Sequence, residues 1–581
     1  MTPNSHPSTP MENVVRGLAT AATPRAASLP FAKRVATRER VAIVVVLAAL
    51  FVLWVAQIEH RQLLEPDEGR YAEIPREMWT TGDWITPRLN DLLYFEKPPL
   101  QYWSTAAAYA AFGPHNWTAR LWCVLTGLAG IALAFYTARR IHSMKAAIYA
   151  ATMLGSSVLY FGASHVNTLD MGVTFFLEAA VFGLVLSRRP GATPFGAKLS
   201  IRAAWVAIAL AVLSKGLIGI VLPALAFALY SALYRDNETW RKLDAKIGIP
   251  LMLAIAAPWF VAVTRAHPDF PYFFFVHEHF TRFLTTEHHR YEPWWFFVPV
   301  LLFGTLPWTP PMLKSLARPL QPPPRGESFH ASGFLAVWIA VVFVFFSASH
   351  SKLIAYILPL FPPLALLAGI RLAEMQTAEA ARELIASATA AVVVFAAGLL
   401  VLAFAATRHP EMLHVAYVTW LAAGITLWGL AAAVATVGLR KRKLGLGFAT
   451  LAIAAVSTSQ LALTAVDALG PARSTYGLAQ QIRPYLANDT QLYAVQLYPQ
   501  ALPFYLGRTL TLVDYRGELA FGLASEPHKG IATLAEFEQR WKTGHDEIAV
   551  MAKETFDAFQ SARLPMAIIA TDARRVAVRK P

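Results

Sequence analysis

The apolar run VAIVVVLAALFVLWVAQI (41–58) is followed almost at once by LEPDEGRYAEIPREMWTTGDWITPRLNDLLYFEKPPLQYW (64–103), and this junction decides the fold class. The first stretch is long and apolar enough for a membrane helix, which needs about 20 such residues. The second sets Glu65, Asp67, Glu68, Arg70, Glu73, Arg76 and Glu77, then Glu96 and Lys97, among Trp and Tyr. Charge this dense beside a membrane anchor is costly near lipid without a purpose, so it marks a candidate site.

Working outward, the same pattern covers most of the chain. Apolar residues make up 56% of the 581 and charged residues 15%, more apolar side chain than a soluble core of this size absorbs. Further runs fall at 118–138, 146–163, 169–187, 201–213, 216–234, 247–264, 295–312, 332–348, 353–370, 384–407, 414–437 and 444–466. The reading is a polytopic α-helical membrane protein of about 13 spans. The split near Ser214, Lys215 and Gly216 is its weakest boundary, since 201–213 is short for a span.

Loop charge supports that split. Lys and Arg cluster at 33–40, 139–145, 188–202, 235–246, 314–325, 371–382 and 440–443, whereas the short alternate loops hold only Lys215, Lys352 and Arg408. By the positive-inside rule this puts the amino terminus in the cytoplasm and the carboxyl terminus outside. Merging the helices around Ser214 would invert every later loop. The segments 59–117 and 265–294 then face outward, and the stretch RYAEIPREMWTTG (70–82) is expected as an interfacial helix anchored by Tyr71 and Trp79. The net charge of +14 follows from the basic loops, and a nucleic-acid partner is not expected. The single Cys123 excludes an intrachain disulfide and a cysteine-based metal cluster.

Three regions result: 1–40 as a Pro-, Ser- and Arg-rich cytoplasmic tail, 41–466 as the membrane domain, and 467–581 as an outer α/β domain. The last rests on helical stretches at 473–488 and 533–544 alternating with strand-like runs QLYAVQ (491–496), TLTLVDY (509–515) and MAIIAT (566–571). It has no phosphate-binding glycine loop or dinucleotide fingerprint and reads as a cap or docking domain.

The ionisable groups of the outward segments are the candidates for chemistry. Asp67 and Glu68 are either a site or simply acids favoured at a helix start. Lys97, held by Pro98 and Pro99, either meets a phosphate anion or snorkels from a short helix. In FPYFFFVHEHFTRFLTTEHHRYEPWW (270–295), Arg282 offers a bidentate fork for phosphate. His277 and His279, offered with Glu96 as a divalent-metal set, would not share a face of one regular helix. Asp170, in SHVNTLDMG (164–172), opens a span from the outer side, and Lys215 is a further candidate for an anion. His350, Lys352 and Tyr356 sit at the outer edge of another span, where Tyr356 also suits plain interfacial anchoring. Carboxylates and cations gathered at one membrane face suit a lipid-linked phosphate donor, with cations for the leaving phosphate and carboxylates for sugar or acceptor.

The 67–103 stretch closely resembles the first outer loop of bacterial lipid-linked-sugar transferases related to protein O-mannosyltransferases, nearest the ArnT-like lipid A aminoarabinose transferases. LSKGLIG (213–219) and SHSKLIAYILP (349–359) resemble the same family's motifs in the same order, so the likeness covers roughly 41–370. The resemblance implies a C-type (GT-C) inverting glycosyltransferase in the inner membrane of a Gram-negative bacterium, with a periplasmic site. The implied donor is an undecaprenyl-phosphate sugar and the acceptor lipid A, with no nucleotide sugar. It assigns Asp67 and Asp170 to catalysis, and Lys97, Arg282 and Tyr356 to the donor phosphate. Glu68, Tyr94, Glu96, His350 and Lys352 complete the expected substrate-binding set. No cofactor is required; a divalent ion on Glu96, His277 and His279 is the metal set on offer, and a monomer is expected.

Three other readings compete. A relative could move another sugar to a glycan, lipid or protein hydroxyl, in which case Asp67 would be the base. A polyprenyl-lipid transporter or flippase would need polar groups near mid-membrane, whereas the ionisable residues here gather at one face. A non-catalytic assembly subunit does not explain so many charges there.

Overall fold

A computed structural model describes residue 45 and residues 48–281, 292–317, 329–408, 415–468 and 473–581, without the side chains of 277–281, 402–403, 405–408 and 415. The chain divides into two compact units, Met1–Val52 and Leu53–Pro581. In the first, the residues from 48 onward are helical, as the opening apolar run predicts. The second holds everything below.

After the first span the chain enters α1 (Asp67–Thr81), a short hairpin of β1 (Arg88–Leu89) and β2 (Leu92–Leu93), and α2 (Leu100–Phe112). Gly82 ends α1 at φ 75°, in the left-handed region that glycine enters without a Cβ penalty. Asn90 and Asp91, at φ 58° and 60°, form the hairpin tip, where two left-handed residues match the strand twist.

The bundle follows: α3 (Asn116–Ile141), α4 (Met144–Gly155), α5 (Val158–Ser164), α6 (Leu169–Arg188), α7 (Pro194–Lys215), α8 (Ile218–Tyr234), the short α9 (Asn237–Arg241) and α10 (Ala245–Ala266). Then come α11 (Phe297–Gly304), α12 (Thr309–Ser315), α13 (Ala331–Ala348), a 3-10 turn Ile354–Leu360 running into α14 (Phe361–Glu374), and α15 (Thr377–Arg408), α16 (Val415–Arg440) and α17 (Leu444–Asp467). Among the described residues nine helices are long and apolar enough to cross a membrane, or ten if α4 and α5, bent by 65°, form one broken span. The chain is a multi-pass membrane protein.

Four expected spans differ in form. The short 201–213 run is the apolar half of a 22-residue helix, whose start at Pro194 is capped by the Thr193 side chain accepting from the Gly196 N–H. The 146–163 run is broken at Ser156 and Ser157, whose hydroxyls donate to Thr152 and Met153 carbonyls one turn back. The 295–312 run is interrupted between Gly304 and Thr309, and α8 is a shorter apolar helix.

From Tyr476 the chain builds a six-stranded sheet in the order β5-β4-β3-β6-β8-β7. Its strands are β3 (Gln491–Val495), β4 (Thr511–Val513), β5 (Gly530–Ile531), β6 (Glu547–Ala552), β7 (Ala567–Thr571) and β8 (Arg575–Arg579). β5 to β6 run parallel, while β8 is antiparallel to both its neighbours. Side chains alternate between faces. Tyr493, Val495, Ala549 and Met551 pack under Phe537, Trp541, Phe556 and Phe559 of the two covering helices. Leu492, Ala494, Ile548 and Val550 pack instead with Tyr71, Ile74, Met78, Tyr102 and Tyr109 of the α1–α2 segment.

That second core corrects one expectation. α1 is no interfacial helix: every residue from Glu68 to Met78 is buried, Tyr71 among them, and Trp79 beyond them is exposed. The sheet covers α1, whose buried Glu68, Arg70, Glu73 and Arg76 are ion-paired, while burial and the neighbouring Glu73 push the Glu77 carboxyl well above the usual carboxylate range. Glu65 bridges Arg575 at 2.7 Å and accepts from the Ala501 N–H, Arg76 holds Glu73 at 2.6 Å, and Glu77 accepts from the Asn90 and Asp91 N–H groups. Arg88 meets Glu526 at 3.0 Å, and the Asn90 amide both donates to and accepts from the Leu510 backbone.

Candidate functional site

Asp67 opens α1, where a carboxylate favours the positive end of the helix dipole. Its side chain keeps 41% exposure and lies 3.4 Å from Arg70, whose guanidinium also bridges Glu518 of the C-terminal segment at 2.6 Å. Arg70 lies over the Tyr71 ring, 5.7 Å from its centroid, and Tyr71 stacks on Tyr102. Burial pushes the hydroxyls of Tyr71, Tyr94 and Tyr102 above their ordinary range, so they stay neutral donors. Arg70, Asp67, Glu96 and Asp170 all lie near enough to act electrostatically on Tyr71.

The hairpin and Pro98–Pro99 set the next residues. Tyr94 donates its N–H to the Pro87 carbonyl, and Pro99 begins α2. Glu96 and Lys97 are half-buried between them, with the Lys97 ammonium donating to the Glu96 carbonyl at 2.7 Å.

Three helix ends supply the third part. Asp170 lies in the first turn of α6 and Lys215 in the last turn of α7, the two ends that suit their charges. They form a largely buried ion pair. The Lys215 ammonium also sits over the Tyr356 ring, 4.6 Å from its centroid, from the 3-10 turn that starts the α14 span.

Several polar atoms around these groups are buried without a hydrogen-bond partner among the described residues: the Tyr94 and Tyr102 hydroxyls, Arg70 Nε, Gln101 Oε1 and Asn167 Nδ2. Gln101 and Asn167 are joined at 2.8 Å, and the Asn167 N–H donates to Glu68. Buried groups left open this way are uncommon unless water or a polar ligand meets them. The arrangement offers an open carboxylate, neutral phenolic donors and cations within one region, suited to a sugar and an anionic leaving group.

Two expected substrate ligands have other work. Glu68 is 1% exposed, with both oxygens spent on Arg120 at 2.7 and 2.9 Å and on the Asn167 and Leu64 N–H groups. Burial pushes its carboxyl up, but the Arg120 charge and hydrogen bonds outweigh this and hold it below the usual range. Lys352 is buried and donates to the Glu292 and Ser349 carbonyls, fixing the loop. His350 is exposed. Arg282 and the side chains of His277 and His279 lie outside the described residues, so only Glu96 of the proposed metal set is placed. No group of three or more His, Cys, Asp or Glu able to hold a metal occurs among the described residues.

Sequence reasoning missed Glu518 and the pairing of Asp170 with Lys215. Glu518 lies in a stretch with no motif, and only the docking of the sheet brings it to Arg70.

Comparison with known proteins agrees with this geometry. Residues 41–274 match the family described as dolichyl-phosphate-mannose-protein mannosyltransferase, and residues 478–580 match the aminoarabinose transferase C-terminal domain. An undecaprenyl phosphate-alpha-4-amino-4-deoxy-L-arabinose arabinosyl transferase of Erwinia tasmaniensis is 30% identical over 88% of this chain and 93% of its own. One from Sodalis glossinidius is 36% identical, over 55% of this chain and 57% of its own. The crystal structure of ArnT from Cupriavidus metallidurans bound to undecaprenyl phosphate superposes with a TM-score of 0.86 at 35% identity, covering 93% of this chain and 98% of that one. The chain belongs to the ArnT-like aminoarabinose transferases, a family of lipid-linked-sugar glycosyltransferases with the GT-C membrane fold.

Proposed function

We propose that this chain moves 4-amino-4-deoxy-L-arabinose from undecaprenyl phosphate to a phosphate of lipid A, with inversion, at the periplasmic face of the inner membrane. The observation that carries the reading is the gathering of Asp67, Glu96 and Asp170 around Tyr71, with Asp170 paired to Lys215 and Lys215 over the Tyr356 ring. It occurs in a chain similar throughout its length to a protein whose structure holds undecaprenyl phosphate.

The chemistry follows from the acceptor. A phosphate monoester loses its second proton near pH ~6, so its oxygen is already a nucleophile at neutral pH and needs no base. That oxygen attacks the sugar C1 while the bond from C1 to the undecaprenyl phosphate oxygen breaks, and negative charge grows on the departing phosphate. Lys97 stabilises that charge, with Tyr356, which lies against Lys215, and Arg282, outside the described residues, as the further ligands proposed for the donor phosphate. Asp67, the open carboxylate, orients the acceptor or holds the sugar's amino group. Asp170 sets the position of Lys215.

Mass spectrometry of lipid A from cells with and without the gene tests the proposal. Loss of the aminoarabinose mass on deletion is the expected result. Unchanged lipid A together with a missing sugar on another glycan or protein would overturn it in favour of a relative acting on a different acceptor.

A further inference from the structure

A second polar hollow lies at the far end of the bundle. α6 begins at Asp170, beside the site, and at 1.5 Å per residue its 20 residues carry the chain about 30 Å to Arg188. α7 returns from Pro194 to Lys215. The turn between them, with α9, lines a cavity of about 560 Å³ whose charged walls are Arg188, Arg189, Lys198, Arg241, Lys242 and Asp244. Arg188 and Lys242 share Glu238, and Asp244 pairs with Arg202. Arg189, Lys198 and Arg241 have no carboxylate in ion-pair range among the described residues.

An apolar cavity of about 190 Å³ lies next to it, between α6, α7 and α8. Ile201 lines both, and the neighbouring pairs Trp240–Arg241 and Leu243–Asp244 put one residue on each. Trp240 is exposed, as aromatic residues at a membrane boundary commonly are. A soluble anion would be served by the cations alone and has no use for the apolar neighbour. A lipid with an anionic head uses both.

We infer that this hollow is a binding site for an anionic phospholipid, with its phosphate among Arg189, Lys198 and Arg241 and part of an acyl chain in the cavity lined by Ala180, Leu184, Trp205 and Ala224. It lies a full span away from the transfer site and does not depend on the identity of the sugar.

The test is native mass spectrometry of the purified full chain, released from detergent micelles doped with phosphatidylglycerol or phosphatidylcholine. Wild-type chain is expected to retain phosphatidylglycerol preferentially. With each surface cation worth about 1 kcal/mol toward an anionic lipid, the K198Q/R241Q pair should lower that retention roughly 10- to 30-fold and leave phosphatidylcholine unchanged. The pair K441Q/K443Q removes equal charge from exposed positions elsewhere and should change retention little. Ala224→Phe should weaken phosphatidylglycerol retention by filling the apolar cavity. Equal retention of the two lipids, wild-type retention by K198Q/R241Q, or an equal loss in K441Q/K443Q overturns the proposal. Displacement of phosphatidylglycerol by inorganic phosphate, with Ala224→Phe silent, would make it a site for a free anion and also overturns it. If the double variant unfolds, the exposed single change Arg241→Gln repeats the comparison.

Discussion

Asp67 is the only acid of α1 that stays open; Glu68, Glu73 and Glu77 are buried and fully engaged in the fold. With the proposed phosphate acceptor, which when ionised needs no base, Asp67→Asn is expected to remove a charged hydrogen bond and not a proton acceptor. A hydrogen bond to a charged group is worth about 1.5–3 kcal/mol, so single-turnover transfer to lipid A should slow roughly 10- to 100-fold. A loss of about 10⁴-fold would instead mark Asp67 as a general base, and a wild-type rate would remove it from the chemistry. Glu68, its neighbour in sequence, is predicted to act on stability. Its folded carboxyl titrates below the ordinary range, so its pairing with Arg120 contributes in full above the usual carboxylate pKa and is lost as pH falls through the folded value. Glu68→Gln leaves the Arg120 charge buried and unpaired, a cost of about 3–5 kcal/mol. Thermal unfolding in detergent should show a large drop at pH 7, with the gap to wild type narrowing below pH ~4. A gap independent of pH would contradict the pairing.

The elements were legible in proportion to how local their causes are. Continuous apolar runs marked the spans, because a membrane helix satisfies its backbone internally and shows only its side chains to lipid. The polar first turns of α7 were invisible for the same reason: Pro194–Ser200 carries no membrane signal and is held by a cap and by continuity with the apolar half. In the tail, β4 and β7 stood out as apolar stretches, while β8, the alternating RVAVR, did not, and no local feature predicts that it pairs between β6 and β7. α1 is buried where the charge pattern suggests an interfacial helix, because Arg120 and Glu518, which pair with its Glu68 and Arg70, come from elements the local sequence does not reveal. Gly69 is the pivot of that docking: a Cβ there would meet the Ala501 backbone N at 2.6 Å, and backbone cannot swing aside. Gly69→Val should therefore lift the sheet off α1, seen as faster proteolysis of the 473–581 segment and a lower unfolding temperature. An unchanged digestion pattern would show that the contact is dispensable.

At the scale of the molecule, the C-terminal segment packs against the candidate site and supplies one of the charges beside it. One of its faces forms a single core with the loop that bears Asp67, and Leu53–Pro581 is accordingly one compact unit. Glu518 reaches from that segment to Arg70, which in turn lies against Asp67 and Tyr71, so a charge supplied by the tail helps to position the open carboxylate. Docking has other anchors at Glu65–Arg575, Arg88–Glu526 and Asn90–Leu510. Glu518 is 20% exposed and Arg70 keeps Asp67 as a second anion, so loss of Glu518 should cost less stability than breaking the closed Glu68–Arg120 pair. Glu518→Gln is thus expected to slow transfer roughly tenfold through a loosened Arg70, consistent with about 1.5 kcal/mol for a hydrogen bond to a charged group, with a small change in unfolding temperature. Glu518→Asp should recover part of the rate. If stability and transfer fell together, and in step with the loss in an Arg575→Leu variant, Glu518 would be one more docking contact. If transfer alone falls, the tail takes part in the reaction through the placement of Arg70.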